Sequence, residues 1–212
     1  MEPIILVGKR SAGKGVVGDY LSSKYDLGKV VFSEVIKEIG LERGEITYEQ
    51  LERDRRGTLA DWATRLRNVE GNETHTLRAI EKAKEEELYV FDGSRHPDEV
   101  KMIKEEFPYS NVLSIDSPLF LRYKRTLEAG RTSGLLHFIR LSLKPSERLI
   151  SQMMVDADYT IWNNSSLECL YESVDKVVWM MENDIKQPRG YLTCMPRKNM
   201  PYPYNFPADG FM

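Results

Sequence analysis

Ile4-Ile5-Leu6-Val7-Gly8-Lys9-Arg10-Ser11-Ala12-Gly13-Lys14-Gly15 is the stretch that decides how this chain is read. Four apolar residues in a row predict a buried strand. The next seven, Gly8 to Lys14, fit the pattern G-x-x-x-x-G-K and lead into a helix-period segment, the setting that the pattern requires. Glycines let the backbone wrap an anion, so that its N–H groups point inward. The helix N-terminus adds its positive end. Gly8, Arg10, Ser11, Ala12, Gly13, Lys14, Gly15 and Val16 are therefore expected to bind phosphate groups. Lys14 is placed against the terminal phosphates, where charge develops during transfer. One departure stands out. The Ser or Thr that usually follows the lysine is Gly15, and Val16 comes next, so the magnesium-holding hydroxyl is missing there.

Outward from this loop, short apolar runs alternate with helix-period segments, which predicts a parallel sheet with crossover helices. The runs are Ile4 to Val7, Val30-Val31-Phe32, Leu88 to Phe91, Val112 to Ile115 and Tyr159 to Trp162. They predict five parallel strands in a three-layer α/β domain over 1–186, with helices on both faces. Ser33 is read as a cap and as an acceptor contact. Thr47 to Gln50 and Ser165 to Glu168 have capping-box spacing. An acceptor-binding helical insert is expected over about 33–86. The basic, glycine-punctuated segment from about 122 to 145 reads as a short lid. From Gln187 the chain carries five prolines and several aromatics without periodicity, so 187–212 reads as an extended tail.

The chain has 212 residues, 30 basic and 33 acidic, for a net charge of −3. That is enough for one α/β domain with a full core. It does not favour a nucleic-acid footprint, so DNA is a possible partner but not the preferred one. Apolar runs are strand-sized, so no membrane span is expected. The N-terminus has no charged leader, which makes a cytoplasmic setting the default. The two cysteines, Cys169 and Cys194, read as buried or incidental thiols. His75, His96 and His137 lack metal spacing.

Asp92 ends the third run and would sit beside the phosphate loop. There it would hold the water shell of magnesium or take a proton from the acceptor. Arg95 follows in the same turn and has the bidentate geometry to grip an acceptor phosphate. Arg122 and Arg125 share a helix face, and Arg131 follows them. Closing over the transferred group, Arg125 and Arg131 would stabilise spreading charge, with Arg122 on the nucleotide. Arg65 and Arg67 are the candidates on the insert for acceptor contacts. A solvated helix face is an equal reading for most arginines there.

The loop Gly8 to Gly15 resembles that of adenylate kinases, which also carry glycine after the lysine but follow it with threonine. Asp92-Gly93-Ser94-Arg95 is similar to an Asp-Gly-x-x-Arg element of the same superfamily of P-loop nucleotide kinases. Asp158 to Glu168 resembles the closing strand and helix of phage deoxynucleoside monophosphate kinases. It also resembles archaeal adenylate-kinase-like proteins related to dephospho-CoA kinase. The resemblance spans about 4–182. It implies ATP and Mg2+ as cofactors, a (deoxy)nucleoside monophosphate or related small phosphate compound as acceptor, and Asn163, Asn164 and Ser165 near the adenine. Two other readings stay open: a kinase for a modified base in DNA, such as a hydroxymethylated pyrimidine, and a nucleotide-binding switch without efficient turnover. Monomer and homodimer are equally compatible with the sequence.

Overall fold

The computed structural model describes residues 2–187 apart from 133, together with residues 190 and 192. Five strands run β1 (Ile4–Val7), β2 (Gly28–Val31), β3 (Leu88–Asp92), β4 (Asn111–Asp116) and β5 (Tyr159–Trp162). All pair in parallel, in the order β2-β3-β1-β4-β5. The four residues of β1 are fully buried at the centre of the sheet. Their continuous apolar run follows from cover on both faces.

Alternation within β1 divides the core. Ile5 and Val7 join the cluster holding Phe32, Trp62, Leu66, Ile80 and Ile150, while Ile4 and Leu6 join Val17, Leu21, Leu170 and Val174. One face therefore carries α2 (Phe32–Glu42), α3 (Tyr48–Glu70), α4 (Glu73–Glu85), α5 (Pro97–Glu106) and α8 (Pro145–Val155). The other carries α1 (Lys14–Tyr25) and α9 (Leu167–Glu182). Between β4 and α8 lie α6 (Leu119–Glu128) and α7 (Leu135–Ser142), so the segment read as a lid contains a helix of its own. The three-layer α/β fold with five parallel strands is the one expected from the sequence.

Local signals settle most helix starts. Thr47 accepts from the Gln50 N–H while the Gln50 side chain accepts from the Thr47 N–H, closing the expected box. The box expected over Ser165 to Glu168 does not form. Ser166, not Ser165, is the N-cap, and its hydroxyl accepts from Cys169 N at 3.4 Å. Ser33 is not a cap either: α2 begins at Phe32, because that ring is drawn into the core, and Ser33 is left exposed. The tail lies outside the described residues except at its start. There Gln187 Oε1 accepts from Thr160 N at 2.7 Å, and Leu192 N donates to Thr160 O at 2.9 Å, along the open edge of β5. No helix among the described residues is long and apolar enough to cross a membrane.

Helices α2 and α3 touch through Gly40. A Cβ there would lie 2.6 Å from Trp62 Nε1 and 2.8 Å from Ile46 Cγ1. The indole is buried and donates to Ile36 O at 3.0 Å, so it has nowhere to withdraw. Gly40→Ala is therefore expected to destabilise the chain by about 1–3 kcal/mol through overpacking, although alanine is the better helix former. Urea unfolding checks this, and a stabilised variant would show that the two helices are not in close contact.

Candidate functional site

The strand order places the C-terminal ends of β1, β3, β4 and β5 side by side, and the loop after β1 lies across them. Gly8 takes φ +151° with its α-carbon against the Ile115 carbonyl oxygen, so any Cβ would meet that oxygen inside contact distance. At Gly13, φ is +114° and a Cβ would lie 2.5 Å from Asn163 Nδ2. Both positions need glycine for conformation and for space. Ser11 also has positive φ, 58°. Its hydroxyl lies 2.8 Å from that of Thr126 on α6. Ala12 is fully buried, Arg10 is partly so, and Gly15 and Val16 are exposed.

Lys14 opens α1. Its Nζ donates back to Gly8 O at 2.5 Å and Lys9 O at 3.2 Å, so the ammonium lies in the concavity of the loop. Burial, helped by the Arg95 charge, lowers its pKa to about 8, while Asp92 and Glu147 pull the other way. At the end of β3, burial raises the Asp92 carboxyl above its ordinary value, against the pull of Lys14, Lys29 and Arg95. Its Oδ2 stands 4.0 Å from where a Cβ on Gly15 would be.

Arg95 is held by its backbone, and Glu99 does the holding. Glu99 Oε2 accepts from Arg95 N at 2.6 Å and His96 N at 3.2 Å, while Oε1 faces His75 Nε2 at 2.8 Å and Arg67 Nη2 at 3.2 Å. Glu99 and His75 are both fully buried. With so many donors, the Glu99 carboxyl is held below its ordinary value despite desolvation. Arg67, expected at the acceptor, engages this cluster through Nη2. Arg65 lies exposed, 5.5 Å over the Trp62 ring, and no contact brings it to the phosphate loop.

Arg125 donates to Ser117 Oγ at 3.0 Å and to Asn163 Oδ1 at 3.2 Å. Asn163 Nδ2 donates to Ala12 O at 2.8 Å, so one amide ties β5, the phosphate loop and α6 together. Arg122 is 5% exposed, donates through Nε to Ser117 O at 3.1 Å and lies 5.9 Å over the Phe138 ring. Burial lowers the pKa of both arginines. Arg131 is exposed beyond the end of α6. Asn164 and Ser165 are exposed at a shallow depression that Ser166, Cys169 and Leu170 also line.

Glu147 was not singled out from the sequence. It sits in the first turn of α8, 5% exposed, with Oε1 3.7 Å from Arg95 Nη1. Glu99 and His75 were missed as a pair as well. Among the described residues, no group of three or more His, Cys, Asp or Glu side chains is arranged to hold a metal ion.

No family model matches the sequence. A UPF0200 protein of Sulfurisphaera tokodaii is 29% identical over 168 residues, covering 78% of this chain and 89% of that protein. A UPF0200 protein of Thermococcus kodakarensis is 27% identical over 186 residues, covering 82% and 95%. Among solved structures, TT1252 from Thermus thermophilus superposes with a TM-score of 0.55 at 15% identity, over 88% of this chain and 100% of that one. Dephospho-CoA kinase from Campylobacter jejuni gives 0.50 at 16% identity, over 85% and 97%. Shikimate kinase from Acinetobacter baumannii gives 0.50 at 18% identity, over 87% and 94%. This chain has the fold of the P-loop kinases. The loop, Lys14 and Asp92 occupy the strand ends at which an open α/β sheet presents its ligand crevice.

The burial of Lys14 gives a test. Its folded pKa of about 8 lies below the ordinary 10.5. Between those values the unfolded chain holds a proton that the folded chain has lost, so stability rises with pH across that window, by at most ~1.4 kcal/mol per unit. Lys14→Met removes this contribution. Without nucleotide, wild type should gain on the variant between about pH 8 and pH 10 in urea unfolding. Equal pH slopes would mean that the ammonium is solvated.

Proposed function

We propose that the protein is an ATP-dependent phosphotransferase that moves the γ-phosphoryl group of ATP to a small phosphate-bearing acceptor, a (deoxy)nucleoside monophosphate being the favoured class. The observation that carries the reading is the convergence of Lys14, Asp92 and Arg95 at the ends of β1 and β3, with Lys14 inside a loop whose two glycines cannot be replaced without a clash.

In this reading the backbone N–H groups of Gly8 to Gly15 hold the β- and γ-phosphates, and Lys14 neutralises charge between them. Asp92 either orients the acceptor or takes its proton, and burial raises its pKa in the direction that makes it a better base. Arg95 grips the phosphate of the acceptor, with its backbone fixed by Glu99. Arg125 supplies charge beside the γ-phosphate, and Arg131 joins it when the 122–145 segment closes as a lid. Asn164 and Ser165 lie against the base, while Asn163 braces the loop from below.

Magnesium, if bound, would be held through water by Asp92 and would supply positive charge to offset the negative charge of the phosphates. The residues fit such an ion through one carboxylate, Asp92, acting through water. Such ions keep several waters and need no all-protein cage, so the lack of a three-ligand group among the described residues is compatible with one. The ordinary hydroxyl ligand is absent at Gly15, yet space for it exists beside Asp92.

Two experiments follow. ADP release with magnesium should be stimulated by one member of a panel of nucleoside monophosphates and dephospho-CoA, and Lys14→Ala should lower that rate by about a hundredfold or more. Normal turnover in the variant sinks the assignment. Stimulation by DNA alone would move the acceptor to a base in a polymer, and tight ATP binding without stimulated turnover would favour a nucleotide switch. Gly15→Ser restores a hydroxyl at a helical position with no clash, and is expected to lower the KM for MgATP several-fold. An unchanged KM across magnesium concentrations would place the ion away from Asp92.

A further inference from the structure

Arg125 is held by neutral groups. Nη1 donates to Ser117 Oγ at 3.0 Å, while Nη2 donates to Asn163 Oδ1 at 3.2 Å and to Asn163 O at 3.4 Å. Arg67 and Arg95 each meet a carboxylate, Glu99 and Glu147. Among the described residues no carboxylate forms such a pair with Arg125. Glu128 acts on it from an exposed position and itself lies 3.9 Å from Lys124. Asn163, which does most of the holding, stands one residue past β5. Its N–H donates to Asp116 O at 2.7 Å and so carries the pairing of β4 with β5 one step further. From there the side chain, 6% exposed, reaches the phosphate loop. Nδ2 donates to Ala12 O at 2.8 Å, and it is the atom that a Cβ on Gly13 would meet at 2.5 Å.

The two neighbours decide which end of the amide is which. A carbonyl oxygen only accepts, so Ala12 O must meet the nitrogen, and a guanidinium only donates, so Arg125 must meet the oxygen. Both demands give one orientation. An aspartate has the same size and pairs more strongly with arginine. It would set a carboxylate oxygen against the Ala12 carbonyl, and it would cancel the charge of Arg125. Alanine would leave Ala12 O without its donor and Nη2 with only the longer contact to Asn163 O. An amide thus ties the guanidinium to the loop and leaves its charge in place.

We propose that Asn163 is a positioning residue: its neutral amide sets the Arg125 guanidinium beside the phosphate loop with its charge uncancelled, so that a polyphosphate held in the loop becomes the counterion. The inference deepens the kinase reading and rests on it for the polyphosphate. Asn163 itself stays behind the loop and acts through the arginine. A cation fixed in advance stabilises developing charge without reorganising. The amide that holds the guanidinium also holds the Ala12 carbonyl, so one side chain sets the loop and the arginine relative to each other.

The test reads binding, with turnover kept apart from it. Calorimetry with a non-hydrolysable ATP analogue and magnesium is run on wild type, Asn163→Ala, Arg125→Met and the double variant. Each single variant should bind at least about tenfold more weakly than wild type. The double variant should bind no more than about threefold more weakly than Arg125→Met, because the amide acts through the arginine. An amide that only holds the fold together would cost the same factor in both backgrounds, and that result overturns the proposal. So does an Asn163→Ala that binds as wild type does, and so does a wild type that binds no analogue. Asn163→Asp keeps the size and the arginine contact, and serves where the alanine variant does not fold, which thermal unfolding reports. It should bind at least about tenfold more weakly than wild type despite its stronger pair with Arg125. Wild-type affinity in Asn163→Asp overturns the requirement for an uncancelled charge. ADP release with the panel of acceptors reads the kinase assignment separately. Coupled losses of binding without release sink that assignment and keep the role of Asn163, while release with independent losses does the reverse.

Discussion

The closeness of the phosphate loop to the sheet is the constraint on which the rest of this structure depends. Gly8 rests against the Ile115 carbonyl oxygen and Gly13 against the Asn163 amide. A side chain at either place would lift the loop from the strand ends. Because the loop lies flat, Asn163 reaches Ala12 O with its nitrogen and Arg125 with its oxygen. Ser117 then takes the other arm of Arg125 and the Nε of Arg122, which fixes α6 beside the loop. A chain of backbone and amide contacts, not a direct charge pair, thus places two cations within reach of the phosphate loop.

The sheet was legible because each strand carries a short apolar run, continuous in β1, the pattern that burial on both faces demands. The phosphate loop was legible because its residues are contiguous and their glycines have a conformational reason. What the sequence hid is what long-range packing decides. His75 and Glu99 lie 24 residues apart and meet only after α4 and α5 pack. That meeting also engages Arg67 through Nη2. Glu147 reads in sequence as an ordinary acidic residue in a helix's first turn, where the dipole favours it. Its burial comes from the return of α8 onto β1, which no local pattern announces. The offset between Ser165 and Ser166 at the start of α9 is of a smaller kind. Two adjacent hydroxyls both satisfy the capping rule, and only the strand length before them chooses.

The electrostatics share one direction. Burial lowers the pKa of Lys14, Arg122 and Arg125 and raises that of Asp92, so every one of these groups is less comfortable charged than it would be in water. Two carboxylates, Asp92 and Glu147, act on Lys14 and restore only part of the loss. Glu99 is the contrast, since its four donors outweigh the cost of complete burial. The fold thus separates two kinds of buried charge. One is satisfied internally and holds the Arg95 turn in place. The other is left short of partners at the mouth of the loop.

That separation has a consequence for catalysis. A site gains most from fixed charges when they are set before the reaction and shielded from water, because nothing then has to reorganise as charge develops. Cations that are part-desolvated and held by backbone geometry meet that condition. In the kinase reading proposed above, a polyphosphate would supply the countercharge that burial withholds from Lys14 and Arg125. The satisfied Glu99 cluster does the complementary work. It keeps the β3–α5 turn rigid, so that the energy released on binding anion is not spent in ordering Arg95.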